Sequence, residues 1–383
     1  MPKPIRVAMI APTFPLSLGT VNGGTQAASI YLCSALRDTG AVELDIIRPF
    51  APLTMSGTGS VDDMRVHHLS KPRFQPRLLH LLWTVQRQVR QAVDRLAPDL
   101  VHVQGHTTIA AAQCPERTIL TVHGIVERDV LYTGAKHTAW LRAQYHAFTQ
   151  RRARRHIRNI IAISPYTRQI VCDEGPQRTW DIANPVADGF FKTDRSPQAG
   201  RVFSASHMTP LKNVHSLITA FARLVSRVPY AQLRLAGSQQ DGVYGMKCRR
   251  LAEDLGIADN VRFLGLLSIK QVREELAAAQ CFALCSFQEN APLSIAEAMA
   301  AGVPVLGSNI CGIPWMVKDG HTGRLIDPGD PAAIADTLFR MIGQDDLPSM
   351  GMKAKEIANR EYRASVVAER TVAVYREVLA QVK

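Results

Sequence analysis

Two carboxylates eight residues apart, Glu289 and Glu297, stand in the segment SFQENAPLSIAEAMAAGVPV that runs from Ser286 to Val305. The pattern predicts a strand leading into a short helix over Ala291 to Ala301, which Gly302 ends before the next strand begins. Nearly every residue of that helix is small or apolar, and Glu297 is its only charge. For an isolated glutamate the plainest outcome is a thin solvated edge. In so apolar a helix an unpaired carboxylate would cost about 1 to 3 kcal/mol. A hydrogen-bonding ligand would remove that cost, and the vicinal hydroxyls of a ribose suit it. Glu289 lies just ahead of the helix, where exposed amides and the positive end of the dipole favour a phosphate. Pro292 fits the first turn, because its missing N–H would be unpaired there anyway.

Further upstream, the strand RVFSAS runs into HMTPLKN, and Lys212 is read as opening a helix with Leu217, Ile218, Phe221 and Leu224 at helical spacing. Taken alone, such a lysine is an ordinary solvated charge. Its place after a strand end favours an anion. Near the N-terminus, VNGGT (Val21 to Thr25) joins the first strand to a helix bearing Ala28, Ile30, Leu32 and Leu36, and Gly23 and Gly24 let the backbone approach a phosphate or sugar closely. The GxGxxG spacing of dinucleotide sites is absent. His123 in LTVHGI ends a strand, where a histidine is as often a structural partner of a carbonyl as a functional group. The chain contains no D-x-D pair, and its seven cysteines include no CxxC. Cys281 and Cys285 in CFALCSF read as buried strand residues, so neither a disulfide framework nor a zinc site is expected, and no essential metal.

The elements that must carry these residues alternate between strand-length apolar runs and helical-period stretches, the pattern of βαβ units with parallel sheets. Strands are predicted over Ile5 to Phe14, Val42 to Phe50, Met64 to Leu69, Leu100 to Gln104, Thr118 to His123 and Asn159 to Ser164. A second series covers Arg201 to Ser206, Gln232 to Ala236, Val261 to Leu266, Cys281 to Ser286, Pro304 to Gly307 and Arg324 to Ile326. Between them, Asn184 to Gly200 is rich in turn formers and reads as a linker. With 383 residues, 46% of them hydrophobic and 20% charged, the chain suits two α/β domains and a fully folded state. In such sheets ligands sit beyond the carboxyl ends of the strands. Gly23, Gly24, His123, Lys212 and Glu289 all fall there.

Together these residues resemble the retaining family 4 glycosyltransferases of the GT-B fold, in which two Rossmann-like domains face each other across a cleft. Glu289 and Glu297 match that family's E-x7-E signature, followed by EAMAAGVPV; NVRFLGLL and CGIPWMVKDGHTGRLIDPGD resemble its neighbouring segments. The resemblance implies an N-terminal acceptor domain over 1–186, a nucleotide-sugar domain over 187–361 and a final helix over 362–383 that crosses back. It implies transfer, with retention, of a hexose-type sugar from a nucleoside-diphosphate sugar to a glycan or lipid-linked acceptor in surface polysaccharide or glycoconjugate synthesis. A UDP-sugar is favoured over GDP-mannose. Glu297 would bind the ribose hydroxyls and Glu289 the donor sugar. Lys212 would neutralise the departing diphosphate, a task for preorganised charge. His123 would line the reaction centre, and Gly23 and Gly24 would face the diphosphate and acceptor. His207, Asn213, Asn290, Ala291 and Leu293 would complete the donor seat. Three departures stand out: Ser206 and His207 replace a Gly-Arg pair, which would weaken the site at high pH if His207 supplies the second cation; ENAP replaces E-x-F-G; and Trp315 replaces a glutamate on the expected cleft wall.

A formal charge of +12 calls for an anionic partner. Arg151, Arg152, Arg154, Arg155 and Arg158 are read as crowding one helix of the first domain, either as a solvated face or as a contact for an anionic membrane surface or acidic acceptor. A helix over Gln75 to Leu96 could add to that contact. Aromatic residues do not interleave with the basic ones, so nucleic acid is not the expected partner. The opening MPKPIRVAMIAPTF is too short an apolar run, broken by Pro12 and Pro15, for a signal peptide or span. A cytoplasmic protein is expected, with a peripheral place on the inner face of the membrane as the alternative. Rival readings are a nucleotide-sugar epimerase of the same architecture, a non-catalytic sugar-binding protein and an inactive homologue.

Overall fold

The computed structural model describes residues 3–15, 21–51, 57–70, 84–132, 136–172 and 178–382. Eight strands form the first sheet: β1 (Ile5–Ile10), β2 (Val42–Ala51), β3 (Gly57–Val61), β4 (Met64–Ser70), β5 (Leu100–Gln104), β6 (Thr118–Val122), β7 (Asn159–Ala162) and β8 (Arg178–Asp181). Their order is β3-β4-β2-β1-β5-β6-β7-β8, parallel throughout except for the antiparallel β3–β4 pair. Six strands form the second: β9 (Arg201–Ala205), β10 (Gln232–Ala236), β11 (Val261–Gly265), β12 (Cys281–Leu284), β13 (Val305–Ser308) and β14 (Gly323–Ile326). Their order is β11-β10-β9-β12-β13-β14, all parallel. Every residue of β5, β6, β7, β12 and β13 is buried, as expected of strands covered by helices on both faces.

Each sheet reverses its strand order once, between β1 and β5 in the first and between β9 and β12 in the second. Parallel sheets open a crevice at such a switch point, because the connections on either side leave for opposite faces. Gly23 and Gly24 follow β1, Lys212 follows β9 and Glu289 follows β12, so topology alone carries these residues to the two facing crevices.

The chain passes between the sheets beside the place where it returns. The Val186 amide donates to the Tyr362 carbonyl at 2.7 Å, and the Ala364 amide donates to the Val186 carbonyl at 3.0 Å. The final helix, Ala364–Val382, then packs on the Gly24–Asp38 helix of the first half. Its Tyr375 is fully buried, with its hydroxyl 2.7 Å from His102 Nδ1.

Several expectations need correction. The first strand stops at Ile10, four residues short, because the next residues turn back so that the Phe14 amide reaches the Ala11 carbonyl. β3 and β8 are additional strands; GTGSV and RTWD carry too few apolar residues to announce themselves, and they lie at the two edges of the sheet. The Asn184 to Gly200 stretch is more than a linker. It contains a short helix, Asp188–Phe191, whose Phe190 and Phe191 are buried, Phe190 meeting Tyr31 edge to face at 6.4 Å between ring centres. Of the helix expected over Gln75 to Leu96, residues 75–83 lie outside the described residues, and a helix runs over Val85–Leu96. The basic helix spans Lys136–Arg154, so Arg155 and Arg158 fall beyond its end.

Candidate active site

The cleft between the two sheets has a cavity volume of about 360 Å³ and is lined from both halves of the chain. On the second half, β9 ends at Ala205 and the chain enters a single 3₁₀ turn, Pro210–Lys212, ahead of the Val214–Val225 helix. Lys212 therefore ends a tight turn instead of opening the helix. The turn is braced by Asn213, a left-handed residue (φ 52°) whose carboxamide donates to the Cys285 carbonyl at 3.0 Å and the Pro328 carbonyl at 2.7 Å. Asn213 is buried and lies outside the cleft lining, which corrects its assignment as a donor-binding residue. It acts one step back, by fixing the turn that aims Lys212.

Lys212 Nζ lies 2.7 Å from Glu289 Oε1, and the Ser286 hydroxyl donates to the same oxygen at 3.0 Å. The two side chains are 18% and 11% exposed. A pair so far from water relies on its mutual contact and added hydrogen bonds to offset desolvation, and removing either partner strands the other charge. Asp129, from the short Val126–Asp129 helix, also lines this wall. Burial pushes its carboxyl up to about 6, against the pull of Lys212, while Glu289 and Glu127 push in the same direction as burial. The cluster thus sets Lys212 between the carboxyls of Glu289 and Asp129.

The helix after Glu289 runs over Leu293–Ala300, with Pro292 immediately before it and not within its first turn. Glu297 lies on the cleft side of this helix. Burial drives its carboxyl up to about 8, and only one side chain, Tyr31, opposes the shift by donating its hydroxyl to Oε1 at 3.2 Å. Tyr31 comes from the Gly24–Asp38 helix, 266 residues away in the chain. Glu297 is half-buried at the cleft, and the protein supplies one donor to a group with room for several.

Apart from Asp129, the first half presents glycine backbone and a neutral ring, His123, and its glycine loop faces His207 of the second half. Gly23 adopts φ +99°, and a Cβ there would lie 2.8 Å from His207 Nε2, closer than side chains tolerate. Only glycine lets this loop meet the imidazole. The Gly24 backbone comes up against Leu293. His207 Nδ1 sits 2.6 Å from the Ser238 hydroxyl; burial and Lys212 push its pKa down, Glu289 partly opposing. A lowered value leaves the ring neutral at neutral pH, so in this state His207 is a hydrogen-bonding group and not the expected second cation. His123 Nε2 lies 2.7 Å from Gln104 Oε1, and burial pushes its pKa down to about 4. Gln104 Nε2 in turn lies 3.2 Å from His102, which is anchored by Thr121 and Tyr375 at 2.7 Å each. His123 is therefore a neutral ring held at the cleft by a buried chain of polar groups.

The loop that carries Glu289 is tied to the first half along one side. Ser164 donates to the Asn290 carbonyl at 2.9 Å, Asn290 Nδ2 to the His123 carbonyl at 3.2 Å, and Asn184 Nδ2 to the Ala291 carbonyl at 3.2 Å. Tyr132 stacks on Phe287, 5.7 Å between ring centres. Asn290, Ala291 and Leu293 all reach the lining. Gly312 makes the fold of this loop possible, since a Cβ would fall 1.7 Å from the Asn290 carbonyl. Trp315 does not line this cleft. It is 46% exposed and borders a separate hollow with Arg360 and Tyr362, which corrects its expected place on the cleft wall.

The structure therefore brings together Gly23, Gly24, His123, His207, Lys212, Glu289, Asn290, Ala291, Leu293 and Glu297, and leaves out Asn213. Tyr31 and Asp129 escape a reading of the sequence. Tyr31 looks like a core residue of an amphipathic helix, and Asp129 like a surface acid in VERD. Gln104, closing a strand, carried the strand-end signal that picked out the others.

Two parallel-sheet α/β domains facing across such a cleft are the GT-B fold. Sucrose-phosphate synthase of Thermosynechococcus elongatus superposes with a TM-score of 0.81 at 20% identity, over 98% of this chain and 100% of that one. HepE of Anabaena, solved with UDP and glucose, gives 0.76 at 19% identity over 97% and 100%. The family model described as "Glycosyltransferase Family 4" matches residues 22–188, and that described as "Glycosyl transferases group 1" matches residues 188–357. The two matches meet at residue 188 and together run over residues 22–357. Among curated relatives, N-acetyl-alpha-D-glucosaminyl L-malate synthase of Bacillus anthracis is 33% identical over 45% of this chain and 44% of its own length. D-inositol 3-phosphate glycosyltransferase of Streptomyces coelicolor is 37% identical over 38% of this chain and 34% of its own. The matches thus span less than half of either relative. No helix among the described residues is long and apolar enough to cross a membrane.

Proposed function

We propose that this protein is a retaining glycosyltransferase that moves a hexose-type sugar from a nucleoside-diphosphate sugar to a glycan or lipid-linked acceptor. The observation that carries the reading is the pairing of Lys212 with Glu289 beside the under-satisfied Glu297 in one cleft. In this reading ribose hydroxyls donate to Glu297, the diphosphate takes Lys212 and the loop amides before Leu293, and the sugar meets Glu289 on the His123 and Asp129 side. The relatives' names, which join sugars to malate and to inositol phosphate, support a glycosyl transfer of this kind. A uridine nucleotide remains the preferred donor, in keeping with the UDP named for HepE, ahead of GDP-mannose. No metal has a part in the scheme, and the reaction belongs in the cytosol.

In the step itself, the bond from the anomeric carbon to the diphosphate oxygen breaks and a bond to the acceptor oxygen forms on the same face. The acceptor proton passes to the departing diphosphate. Lys212 stabilises the charge that develops on the leaving group, a task in which one preorganised donor is worth about 10²- to 10³-fold in rate. His123, neutral at the pH of the cell, lends hydrogen-bonding capacity without repelling a cationic anomeric centre.

The test is to supply candidate nucleotide sugars and follow nucleoside diphosphate release together with the anomeric proton couplings of the product. Retention in a new glycoside, or in sugar freed by slow hydrolysis, supports the proposal. Inversion contradicts the mechanism, and an isomerised sugar formed without acceptor would favour an epimerase.

A further inference from the structure

The outer face of the Lys136–Arg154 helix is apolar where a solvated face would be polar. Ala139 and Ala143 turn inward and are buried, whereas Trp140, Leu141, Tyr145 and Phe148 are 65%, 61%, 56% and 68% exposed. Spacings of four and three residues place Leu141, Tyr145 and Phe148 on one stripe, and Trp140 stands beside it. Arg151 and Arg152 extend the same stripe and Arg155 follows it, all three exposed. Arg154 belongs elsewhere: it is buried, with Nη2 2.7 Å from Glu127, so the basic cluster expected from the sequence loses one member to the interior. No Asp or Glu occurs between Asp129 and Asp173, and the stripe therefore carries no negative charge.

We propose that this face docks on an anionic lipid bilayer. Scattered apolar residues are ordinary on a surface, but several large ones on a single helical stripe mark an interaction site. Trp and Tyr rings with one polar edge fit the boundary between headgroups and acyl chains, and arginines at one end of the stripe meet lipid phosphates. In a symmetric stripe-to-stripe dimer these arginines would meet only the same acid-free surface. The helix packs against the Val126–Asp129 segment that carries Asp129 into the cleft, so docking sets the mouth of the cleft beside the bilayer. The proposal concerns the surface alone and is read without turnover.

The experiment is cosedimentation of the full chain with vesicles of phosphatidylcholine, alone or mixed with equal phosphatidylglycerol, at low and high salt. The wild type is expected to pellet with the mixed vesicles only. Trp140→Ser combined with Phe148→Ser, and separately Arg152→Gln combined with Arg155→Gln, should each lower the partition coefficient about tenfold or more. Unchanged thermal midpoints would establish that both variants are folded, and Tyr230→Ser, at an exposed ring on the other half, should sediment like wild type. Equal sedimentation of wild type and both stripe variants, or none of the wild type with either vesicle, would overturn the proposal. So would a dimer in sedimentation velocity that the Trp140 and Phe148 substitutions abolish, which would assign the stripe to a second copy.

Discussion

The two walls of the cleft are built on opposite plans. The second half offers ionic side chains: Lys212 on Glu289 with Ser286, on short turns after β9 and β12, and Glu297 midway along the helix that follows. The first half offers glycine backbone and a neutral ring, Gly23, Gly24 and His123, on loops after β1 and β6, with Asp129 as its charged side chain in the lining. Charge that must meet a diphosphate in the same way each cycle calls for a rigid, pre-paired arrangement. A wall that must admit an acceptor needs close approach and few fixed charges. The difference is one of division of labour, and the halves meet where Tyr31 donates to Glu297 and where Asp129 faces Lys212 and Glu289.

The comparison predicts unequal damage. Lys212→Ala and Glu297→Ala should each lower turnover about 100-fold or more while leaving the fold intact; steady-state rates near normal in both would end the assignment of this wall to the donor. Gly23→Ala should follow, with about a tenfold loss, because its new Cβ meets His207 Nε2 at 2.8 Å. Adding His207→Ala should restore part of that loss, and a double-mutant cycle with no coupling would show that the contact does not matter.

A smaller effect lies in proton linkage at Glu297. Its folded pKa, pushed up to about 8, stands above the ordinary 4.5. Its contribution to stability is therefore fully present below about pH 4.5 and lost as pH rises through 8. Glu297→Gln should gain thermal midpoint relative to wild type between pH 5 and pH 8, by about 2 to 4 °C or more. If ribose hydroxyls donate to the carboxylate, nucleotide binding near pH 7 should also release a proton, seen as a dependence of the calorimetric enthalpy on buffer. An enthalpy independent of buffer would contradict that contact. Smallest of all, Trp315→Ala should change turnover less than about threefold, since the ring lies outside the cleft.

Legibility in the sequence follows the same division. The ionic wall was readable because each of its groups sits within a few residues of a strand end, and because Glu297 is the only charge in an apolar helix. Twelve of the strands were visible in apolar runs, whereas β3 and β8 were not, since GTGSV and RTWD belong to sheet edges that demand little burial. The cross-cleft partners were hidden for a different reason. Tyr31 and Asp129 gain their meaning from contacts with the other half, and nothing local separates them from a core tyrosine and a surface acid. Asn213 shows the reverse error: a polar residue beside Lys212 invites a ligand role, yet its amide is consumed by two carbonyls of its own domain. The basic run misled in a similar way, because sequence spacing could not tell that Arg154 turns inward while Trp140 and Phe148 turn outward.

The most direct measurement of the central claim is calorimetric titration of the wild type and Glu297→Ala with UDP, GDP and ADP. The account predicts that one nucleoside diphosphate binds the wild type and that the substitution weakens it at least 30-fold, because the ribose loses its carboxylate. Equal affinities in the two proteins, or no binding of any of the three to the wild type, would contradict the claim that the second half of this cleft is a nucleotide-sugar seat.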